Sequence, residues 1–409
     1  MKYIAILFTS FLLFSCEQKE IVDRSGVQWF DMHAELQEAL ILAGPGDTIM
    51  LPAGYFSFNK SLLIDDKDSI ILKGAGMDET VLSFLDQQEG AEGIKISHCS
   101  NITLADFTIE DASGDNIKVN DTDGITFRKV KSQWTGPASE ENGAYALYPV
   151  LCKNVLIEEC IAIGASDAGV YVGQSDHVII RNNIAKRNVA GIESENSNHV
   201  QIYGNLAENN TGGILVFDLP GLTQYGKHIK VYKNVVKSNN HRNFAPEGNI
   251  VGVVPPGTGI MLLATEDVEV YKNEITDNRT VGVAIISYEL VAAISEEESS
   301  SEREGSAQRV NNNYELDSAY NPYVRQIKLH HNNIQNSHWF ATFSHDFGLL
   351  FNYKFPFNPP DIAFDGFMQE GLSAEATLCL DQDEVHFVNL DAPNNLEDMN
   401  ENISPFKCK

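Results

Sequence analysis

The chain has 409 residues, of which 57 are acidic and 29 are basic, so its formal net charge is −28. A charge of this sign argues against nucleic-acid binding, because no basic stripe is present to neutralise phosphates. It also disfavours tight electrostatic capture of polyanions, although bound calcium could reverse the sign locally.

The N-terminal segment has the pattern of an export signal. Lys2 is followed by a mostly apolar run from Ile4 to Phe14, which is too short to span a membrane as a mature helix. Cys16 after a small residue resembles a bacterial lipobox, although Phe14 departs from the commonest pattern and leaves an ordinary signal peptide as the alternative. We therefore expect a signal peptide over residues 1–15, a lipidated Cys16 and a linker over residues 16–26. The mature protein would then belong to the cell envelope, facing the periplasm or the outer membrane, and would touch the membrane through its lipid alone.

The segment from Val27 to Ala43 reads as a short amphipathic helix that ends before a Gly-Pro-Gly stop signal at residues 44–46. A stack of strands leaves the edge of its first strand unpaired, and a helix laid over that edge protects it. The sequence therefore predicts a capping helix, followed by the first rungs of a solenoid from Ile49 to Leu85.

The middle of the chain repeats itself about every 22 residues, with inserted loops between some units. Each unit carries two apolar residues one position apart, a period-two alternation that is typical of a β-strand with one face buried. Such a unit cannot bury its own apolar face, but stacked units can. The pattern predicts a parallel β-solenoid over residues 27–346. The first apolar residue of successive units is Ile102, Ile125, Val155, Val178, Val200, Ile229, Val268 and Ile327.

Asparagines recur in a single phase, five residues after the first apolar position of five units. Stacked amides can hydrogen-bond along a column, as they do in other stacked parallel sheets. Asparagine also suits turns by itself, but the shared phase favours a ladder. Its members would be Asn183, Asn205, Asn234, Asn273 and Asn332.

Together with the repeats, several motifs resemble right-handed parallel β-helix proteins, a class that includes pectate and alginate lyases, polygalacturonases and mannuronan epimerases. More narrowly, the chain resembles bacterial β-helix-repeat lipoproteins of unknown function. The resemblance implies an all-β, right-handed parallel β-helix with an N-terminal capping helix and an irregular C-terminal cap, and this fold hosts many functions. The motifs are PGDTIMLPAGYF (45–56), LKGAGMDETVL (72–82), NGAYALYPV (142–150) and GASDAGVYVGQS (164–175).

The C-terminal third departs from the repeat. An acidic, Ser-rich insertion occupies about residues 289–323, one further rung follows to residue 346, and residues 347–409 read as a cap. Residues 377–409 would add a hairpin, closed by a disulfide between Cys379 and Cys408. Cys99 and Cys152 are expected to be buried small hydrophobes, and Cys160 occupies the asparagine-ladder position of its own rung.

The second strand of each unit offers an outward face for function. Loops inserted at residues 133–142, 218–227 and 240–258 flank this face, so we predict a groove there. Its two outward columns would be Lys118, Tyr145, Tyr171, Glu193, Leu215 and Met261, and then Asn120, Leu147, Gly173, Glu195, Phe217 and Leu263. The alternative is that the loops cover an apolar patch.

Within this groove, tyrosine, lysine and carboxylate side chains could exchange protons with a sugar, and carboxylates could hold Ca²⁺. The catalytic candidates are Lys118, Tyr145 and Glu193. Asp167, Glu193 and Glu195 are expected to lie close enough together to bind one Ca²⁺. No dense Asp/Arg/His cluster of the lyase and epimerase kind is present, so a non-catalytic surface remains the alternative. The substrate-binding candidates are Asp167, Tyr171, Glu195, His241 and Arg242.

A further outward column, one residue per rung, is mostly aromatic. It could form a carbohydrate platform, but stacked aromatics in neighbouring strands more often stabilise the sheet. Its members are Arg181, Tyr203, Tyr232, Tyr271 and His330.

Three functions follow from these patterns. The protein could be a polysaccharide- or oligosaccharide-binding module, a lyase or epimerase of a uronate polymer, or a scaffold for another envelope protein. Recognition or processing of polysaccharide along the groove is the function that the pattern favours.

Overall fold

The computed structural model describes residues 21–295, 311, 313–382 and 384–409. The strands are β1 (Trp29–Asp31), β2 (Thr48–Met50), β3 (Gly54–Ser57), β4 (Lys60–Asp65), β5 (Ile71–Lys73), β6 (Thr80–Ser83), β7 (Glu89–Ser97), β8 (Ser100–Glu110), β9 (Ile117–Asn120), β10 (Asp123–Gln133), β11 (Tyr145–Val150), β12 (Lys153–Glu158), β13 (Ile161–Ile163), β14 (Ala168–Gly173), β15 (Asp176–Arg181), β16 (Ile184–Lys186), β17 (Ala190–Glu195), β18 (Asn198–Tyr203), β19 (Leu206–Glu208), β20 (Gly212–Phe217), β21 (Lys227–Tyr232), β22 (Val235–Lys237), β23 (Thr258–Leu263), β24 (Glu266–Tyr271), β25 (Glu274–Thr276), β26 (Val281–Ile286), β27 (Arg325–His330), β28 (Asn333–Gln335), β29 (Ile362–Phe364), β30 (Leu378–Asp381) and β31 (Phe387–Asn389). The α-helices are α1 (His33–Leu42), α2 (Tyr288–Ser295), α3 (Asp346–Lys354) and α4 (Ala374–Thr377), and single 3-10 turns span Ile250–Val253, Tyr314–Leu316, Ala392–Asn394 and Ser404–Phe406.

Each turn of the coil contributes strands to two long parallel sheets. In one turn, β15 and β16 belong to the larger sheet, here sheet A, and β17 belongs to sheet B. In the next turn β18, β19 and β20 take the same places, in parallel register with the strands before them. The repeat read from the sequence is therefore one turn of a parallel β-helix, as predicted.

The interior of the coil is filled by the alternate side chains that the period-two pattern marks. Val178 and Ile180 of β15 stack on Val200 and Ile202 of β18, and all four are fully buried. Burial of one such side chain stabilises the fold by about 1.5–3 kcal/mol, and the stack continues through every turn. The repeated apolar pair therefore builds the core.

Two asparagine ladders run along the coil. In the predicted ladder, the Asn205 side chain donates to Asn234 Oδ1 at 3.0 Å, and its own oxygen accepts from Asn183 Nδ2 at 3.0 Å. The sequence reasoning missed the second ladder, although its spacing repeats that of the first. Its contacts are also amide to amide at 2.9–3.0 Å, and its members are Asn188, Asn210, Asn239 and Asn278.

The N-terminal cap differs from the prediction at its start. The helix begins at His33, and Trp29–Asp31 form strand β1, which pairs in parallel with β3. The helix buries Leu36 and Leu40 against the coil, as a cap should. The predicted signal peptide and Cys16 lie outside the described residues.

The coil extends further toward the C-terminus than the range 27–346. Strand β29 pairs with β26, β31 pairs with β29, and β30 pairs with β27, all in parallel. Residues 377–409 therefore add strands to both sheets and do not form the expected hairpin. A disulfide joins Cys379 to Cys408, while Cys99, Cys152 and Cys160 are buried and free.

A second apolar cluster lies outside the coil, on the outer face of sheet B. It joins Leu215 and Met261 of the sheet to Ile250 and Val251 of the third inserted loop and to Val291 of α2. Among the described residues, none of the helices is both long enough and apolar enough to span a bilayer.

Candidate functional site

The outer face of sheet B carries one column of side chains that changes from polar to apolar along the coil. Lys118 pairs with Tyr148, Tyr171 with Glu193, and Glu193 with Leu215. Apolar residues then continue the same column through Met261, Ala284, Ala363 and Val388. The column thus has a polar end and an apolar end.

The predicted alignment of one strand within this face is wrong by three residues. Leu147 pairs with Val170 and points into the core, so Tyr148 stands beside Tyr171, and Tyr145 pairs with Ala168. Strand β11 follows an inserted loop. Its glycine, Gly143, lies two residues from the first paired residue, Tyr145, whereas Gly169 is adjacent to Ala168, the first paired residue of β14. Tyr148, which the sequence reasoning missed, therefore takes the place predicted for Tyr145, and Val150 takes that of Leu147.

The predicted groove is closed. Tyr145, Asp167, Tyr171, Glu193 and Glu195 are each at most 1% exposed. The inserted loops and α2 pack over the face, because its apolar half offers a large surface to bury. The alternative reading, in which the loops cover an apolar patch, is correct for that half, and the polar residues are buried beside it.

Three tyrosines pack together at the polar end. The ring of Tyr145 lies 4.3 Å from that of Tyr148 and 4.5 Å from that of Tyr171, and Tyr148 meets Tyr171 edge-on at 4.9 Å. Gly173 makes this packing possible, because a Cβ at that position would lie 2.2 Å from the Tyr171 hydroxyl. The Tyr171 hydroxyl crosses Gly173 and donates to Glu195 Oε1 at 2.8 Å.

Three carboxyl groups complete what we call the carboxyl–tyrosine cluster, which comprises Tyr145, Tyr148, Asp167, Tyr171, Glu193 and Glu195. Both oxygens of Asp167, Oε2 of Glu193 and Oε2 of Glu195 are buried without a hydrogen-bond partner among the described residues. The Tyr145 hydroxyl lies near enough to Asp167 to lower its pKa somewhat, but not in hydrogen-bonding geometry. The cluster thus holds acids that the protein does not satisfy internally.

The pKa values of these acids follow from their surroundings. Burial raises the pKa of Glu195 to about 7, against the lowering effect of the hydrogen bond from Tyr171. Burial, and then the charge of neighbouring carboxyls, raises the pKa of Asp167 and of Glu193 well above the ordinary range. Burial also raises the pKa of the Tyr145, Tyr148 and Tyr171 hydroxyls. The phenols therefore remain proton donors near neutral pH, and Glu195 is poised to gain or lose a proton.

Lys118 stands at the solvent edge of the cluster. Its ammonium group lies 4.9 Å from the centre of the Tyr148 ring, 3.9 Å from Glu92 Oε1 and 4.0 Å from Asp115 Oδ2. The Lys118 side chain is 21% exposed, unlike the buried acids behind it. This edge, with Glu92 and Asp115, is where the polar end of the face meets solvent.

The remaining predicted site residues lie elsewhere or do not fit their predicted role. The described contacts of His241 and Arg242 are with Asn210, Thr211 and Phe244. The carboxylate oxygens of Asp167, Glu193 and Glu195, all described residues, do not come within 4.8 Å of one another as a group of three. The expected single Ca²⁺ site is therefore not formed in this conformation.

The aromatic column on sheet A is a stack, and its rings cover one another. Tyr203, Tyr232, Tyr271 and His330 follow at 4.9–5.0 Å with interplanar angles of 13°, 7° and 2°. Sugars bind aromatic residues on the ring face, and only ring edges are offered here. Together with the Arg181 guanidinium, which donates to the Tyr203 hydroxyl, the column supports the sheet and is not a carbohydrate platform.

A comparison with protein-family models matches part of the coil. Residues 80–223 match the family model described as right handed beta helix region. No curated protein matches the chain.

Several solved structures are similar to the chain at low sequence identity. The A-module of a mannuronan C-5 epimerase from Azotobacter vinelandii is 16% identical, with a TM-score of 0.45 over 83% of this chain and 92% of that one. A DFA-IIIase from Arthrobacter chlorophenolicus A6 is 11% identical, with a TM-score of 0.47 over 84% and 92%. A periplasmic alginate epimerase is 14% identical, with a TM-score of 0.40 over 75% and 78%. Likeness this remote says nothing about which reaction, if any, these residues perform.

Proposed function

Because the chain is a right-handed parallel β-helix protein, we propose that it binds a glycan on the outer face of sheet B and transfers protons to and from it there. The observation that carries this proposal is the carboxyl–tyrosine cluster: three buried acids, incompletely hydrogen-bonded, with raised pKa values, beside three phenols. Strongly shifted acids grouped in one place are typical of catalytic sites.

Stability alone gives no reason for these acids. The same outward column carries Leu215, Met261 and Ala284 a few rungs further on, where the loops cover it equally well. An unsatisfied buried polar group costs about 1–3 kcal/mol, and an ionised one costs more. A sequence selected only for packing would continue the apolar residues, so the acids at Glu193 and Glu195 favour a chemical role.

The roles follow from the pKa directions. Glu195, with its pKa raised by burial to about 7, serves as the general base or acid. Tyr171 donates to Glu195 and orients it, while Tyr145 and Tyr148 stay protonated as donors. Lys118 receives the sugar at the solvent edge. Burial, and then the charge of Glu195, raises the pKa of Asp167, which favours its protonated form.

The chemistry at this edge favours a neutral glycan. Lys118 already faces Glu92 and Asp115, and the acids behind it would repel a uronate once they ionise. A uronate polymer is the second candidate, since Lys118 is a cation within reach of a sugar carboxylate. The enzymes named in the structural comparison act on carbohydrate, but that likeness is too remote to support either choice.

Access to the cluster requires movement of its cover. The inserted loop at residues 133–142 packs Ala138 against the second apolar cluster, which includes Tyr145, Tyr148 and Tyr171, and its Asn142 side chain donates to the Gly164 carbonyl at 2.6 Å. Ser166 donates to the Asn142 carbonyl at 2.9 Å, directly before Asp167. We infer that displacement of this loop admits the glycan, since loops of this kind gate many enzymes.

The site of action that we propose is the cell envelope. The apolar run from Ile4 to Phe14 and the cysteine at position 16 support export and lipid attachment. Metabolic labelling with a fatty-acid analogue in a bacterial host should mark the wild-type protein and leave Cys16→Ser unmarked. Equal labelling of both would remove the lipid from this proposal.

A glycan panel followed by proton NMR tests the proposal. Purified protein is incubated with neutral glycans, alginate and pectin, and we expect changed anomeric signals with a neutral glycan. The substitution Glu195→Gln should slow this change by about a hundredfold or more, since a general acid or base contributes that much. Glu208→Gln, the same change on a half-buried surface glutamate paired with Lys237, is the matched control and should react like wild type.

Other outcomes decide between the alternatives. New vinylic signals from alginate or pectin would assign the site to uronate elimination. Broadened ligand signals without turnover would make the protein a binding module. The absence of both across the panel would contradict the proposal and favour a scaffold that binds another envelope protein.

A further inference from the structure

Three histidines are stacked on the solvent side of sheet A. His177, His199 and His228 are the second residues of strands β15, β18 and β21 in three successive rungs, with ring centres 4.8 and 4.9 Å apart. All three adopt left-handed backbone conformations, with φ of 58°, 51° and 60°. Because this strand position repeats from rung to rung, the coil fixes where these rings lie.

Asp176 joins two of these rings. Its Oδ1 lies 2.8 Å from Nδ1 of His199, and its Oδ2 lies 3.0 Å from Nδ1 of His177. The carboxylate therefore faces two imidazole nitrogens.

We propose that Asp176, His177 and His199 form a binding site for a divalent transition metal ion of the Zn²⁺ class. One ligand atom from each side chain lies within 4.8 Å of the others. Zn²⁺ binds imidazole nitrogen and carboxylate oxygen at about 2.0–2.2 Å, which places its ligand atoms roughly 3.3 Å apart. The two contacts of Asp176 with the imidazole nitrogens, 2.8 and 3.0 Å, are close to that spacing. The ion takes the place of the Nδ1 protons, which are released to solvent.

Asn198 pairs with Asp176 across the two rungs, and its Oδ1 is buried without a hydrogen-bond partner among the described residues. The proposed ligands are held by strands β15 and β18, so the ion links two successive rungs of the coil.

The chain offers a matched pair of variants. Asn154 occupies the same strand position one rung before His177 and has the same left-handed backbone, with φ of 52°. Asparagine is therefore compatible with this left-handed backbone conformation, and His199→Asn should fold normally. His228→Asn removes the third ring of the stack, which contacts Asp267 and lies outside the proposed site.

Titration of tag-free protein with Zn²⁺, followed by isothermal calorimetry, tests the site. We expect one equivalent bound by wild type and by His228→Asn, and an affinity at least about tenfold lower for His199→Asn and Asp176→Asn. Co²⁺ should give the visible absorption of a nitrogen- and oxygen-ligated ion in wild type and lose it in the same two variants. Equal Zn²⁺ affinity of His199→Asn and wild type, or no binding by wild type, would overturn the proposal. This test does not depend on any glycan chemistry.

Discussion

The substitution Glu195→Gln should make the protein relatively more stable as the pH rises. Burial raises the pKa of Glu195 from its ordinary value of 4.5 to about 7 in the folded protein. The folded state therefore holds a proton that the unfolded state has already lost, and the stability contributed by this group falls as pH rises from about 4.5 through about 7. Glutamine has nearly the same shape, still accepts from the Tyr171 hydroxyl and never ionises.

The magnitude follows from the shift in pKa. Each pKa unit corresponds to about 1.36 kcal/mol, and the difference in proton binding between about pH 5 and about pH 8 integrates to about 2.5 kcal/mol. The free energy of unfolding of Glu195→Gln, relative to wild type, should thus rise by about 2.5 kcal/mol across this range. The packing cost of the amide is the same at both values of pH and cancels in the comparison.

Urea unfolding of both proteins at about pH 5 and about pH 8, with equal m-values, provides the measurement. Glu208→Gln, a glutamate on the sheet A surface, is the control and should show no such rise. A change in relative stability of less than about 0.5 kcal/mol for Glu195→Gln would refute the reasoning, because it would mean that Glu195 is not protonated by its burial.

Three further outcomes are expected. Asn205→Ala should lower the free energy of unfolding by about 3 kcal/mol in urea, because it removes the side-chain acceptor of the Asn183 backbone N–H and a donor to the Ile180 carbonyl. Cys379→Ser should cost about 3–4 kcal/mol in the same assay, given the sequence separation of 29 between the bridged cysteines, and wild type in reductant should match it. Native protein should resist thiol labelling near neutral pH until denaturant is added, since burial raises the pKa of Cys152 and of Cys160 to about 12; rapid labelling of native protein would contradict this burial.

The coil was predictable because individual residues recur in the sequence with the period of its rungs. The apolar pair and the asparagine recur at fixed spacing, and each repeats the same physical task in every rung: filling the core or bonding along the stack. A ladder such as Asn183, Asn205 and Asn234 needs only equal spacing to be recognised. The second ladder, through Asn188 and Asn210, carried the same signal and could have been found the same way.

The site was predicted less well, since it depends on how the insertions fold. The register of Tyr145 and Tyr148 is set by the loop before β11, whose length does not reveal which residue pairs first. Burial of Glu193 and Glu195 depends on loops from distant parts of the chain, which pack on the sheet through tertiary contacts that no local pattern encodes. Tyr145 contacts Tyr171, and Tyr171 bonds to Glu195, but the open groove was wrong.

The most direct test of the proposed site is carboxyl NMR of protein labelled with ¹³C at the glutamate side-chain carboxyl, titrated with the glycan panel. The Glu195 signal is identified by its loss in Glu195→Gln, and in free protein it should titrate near pH 7. The account predicts that a bound glycan shifts this signal, and that of Glu193, while the signal of Glu208 stays in place. A glycan that binds without moving the Glu193 and Glu195 signals would place recognition elsewhere on the coil and contradict the account.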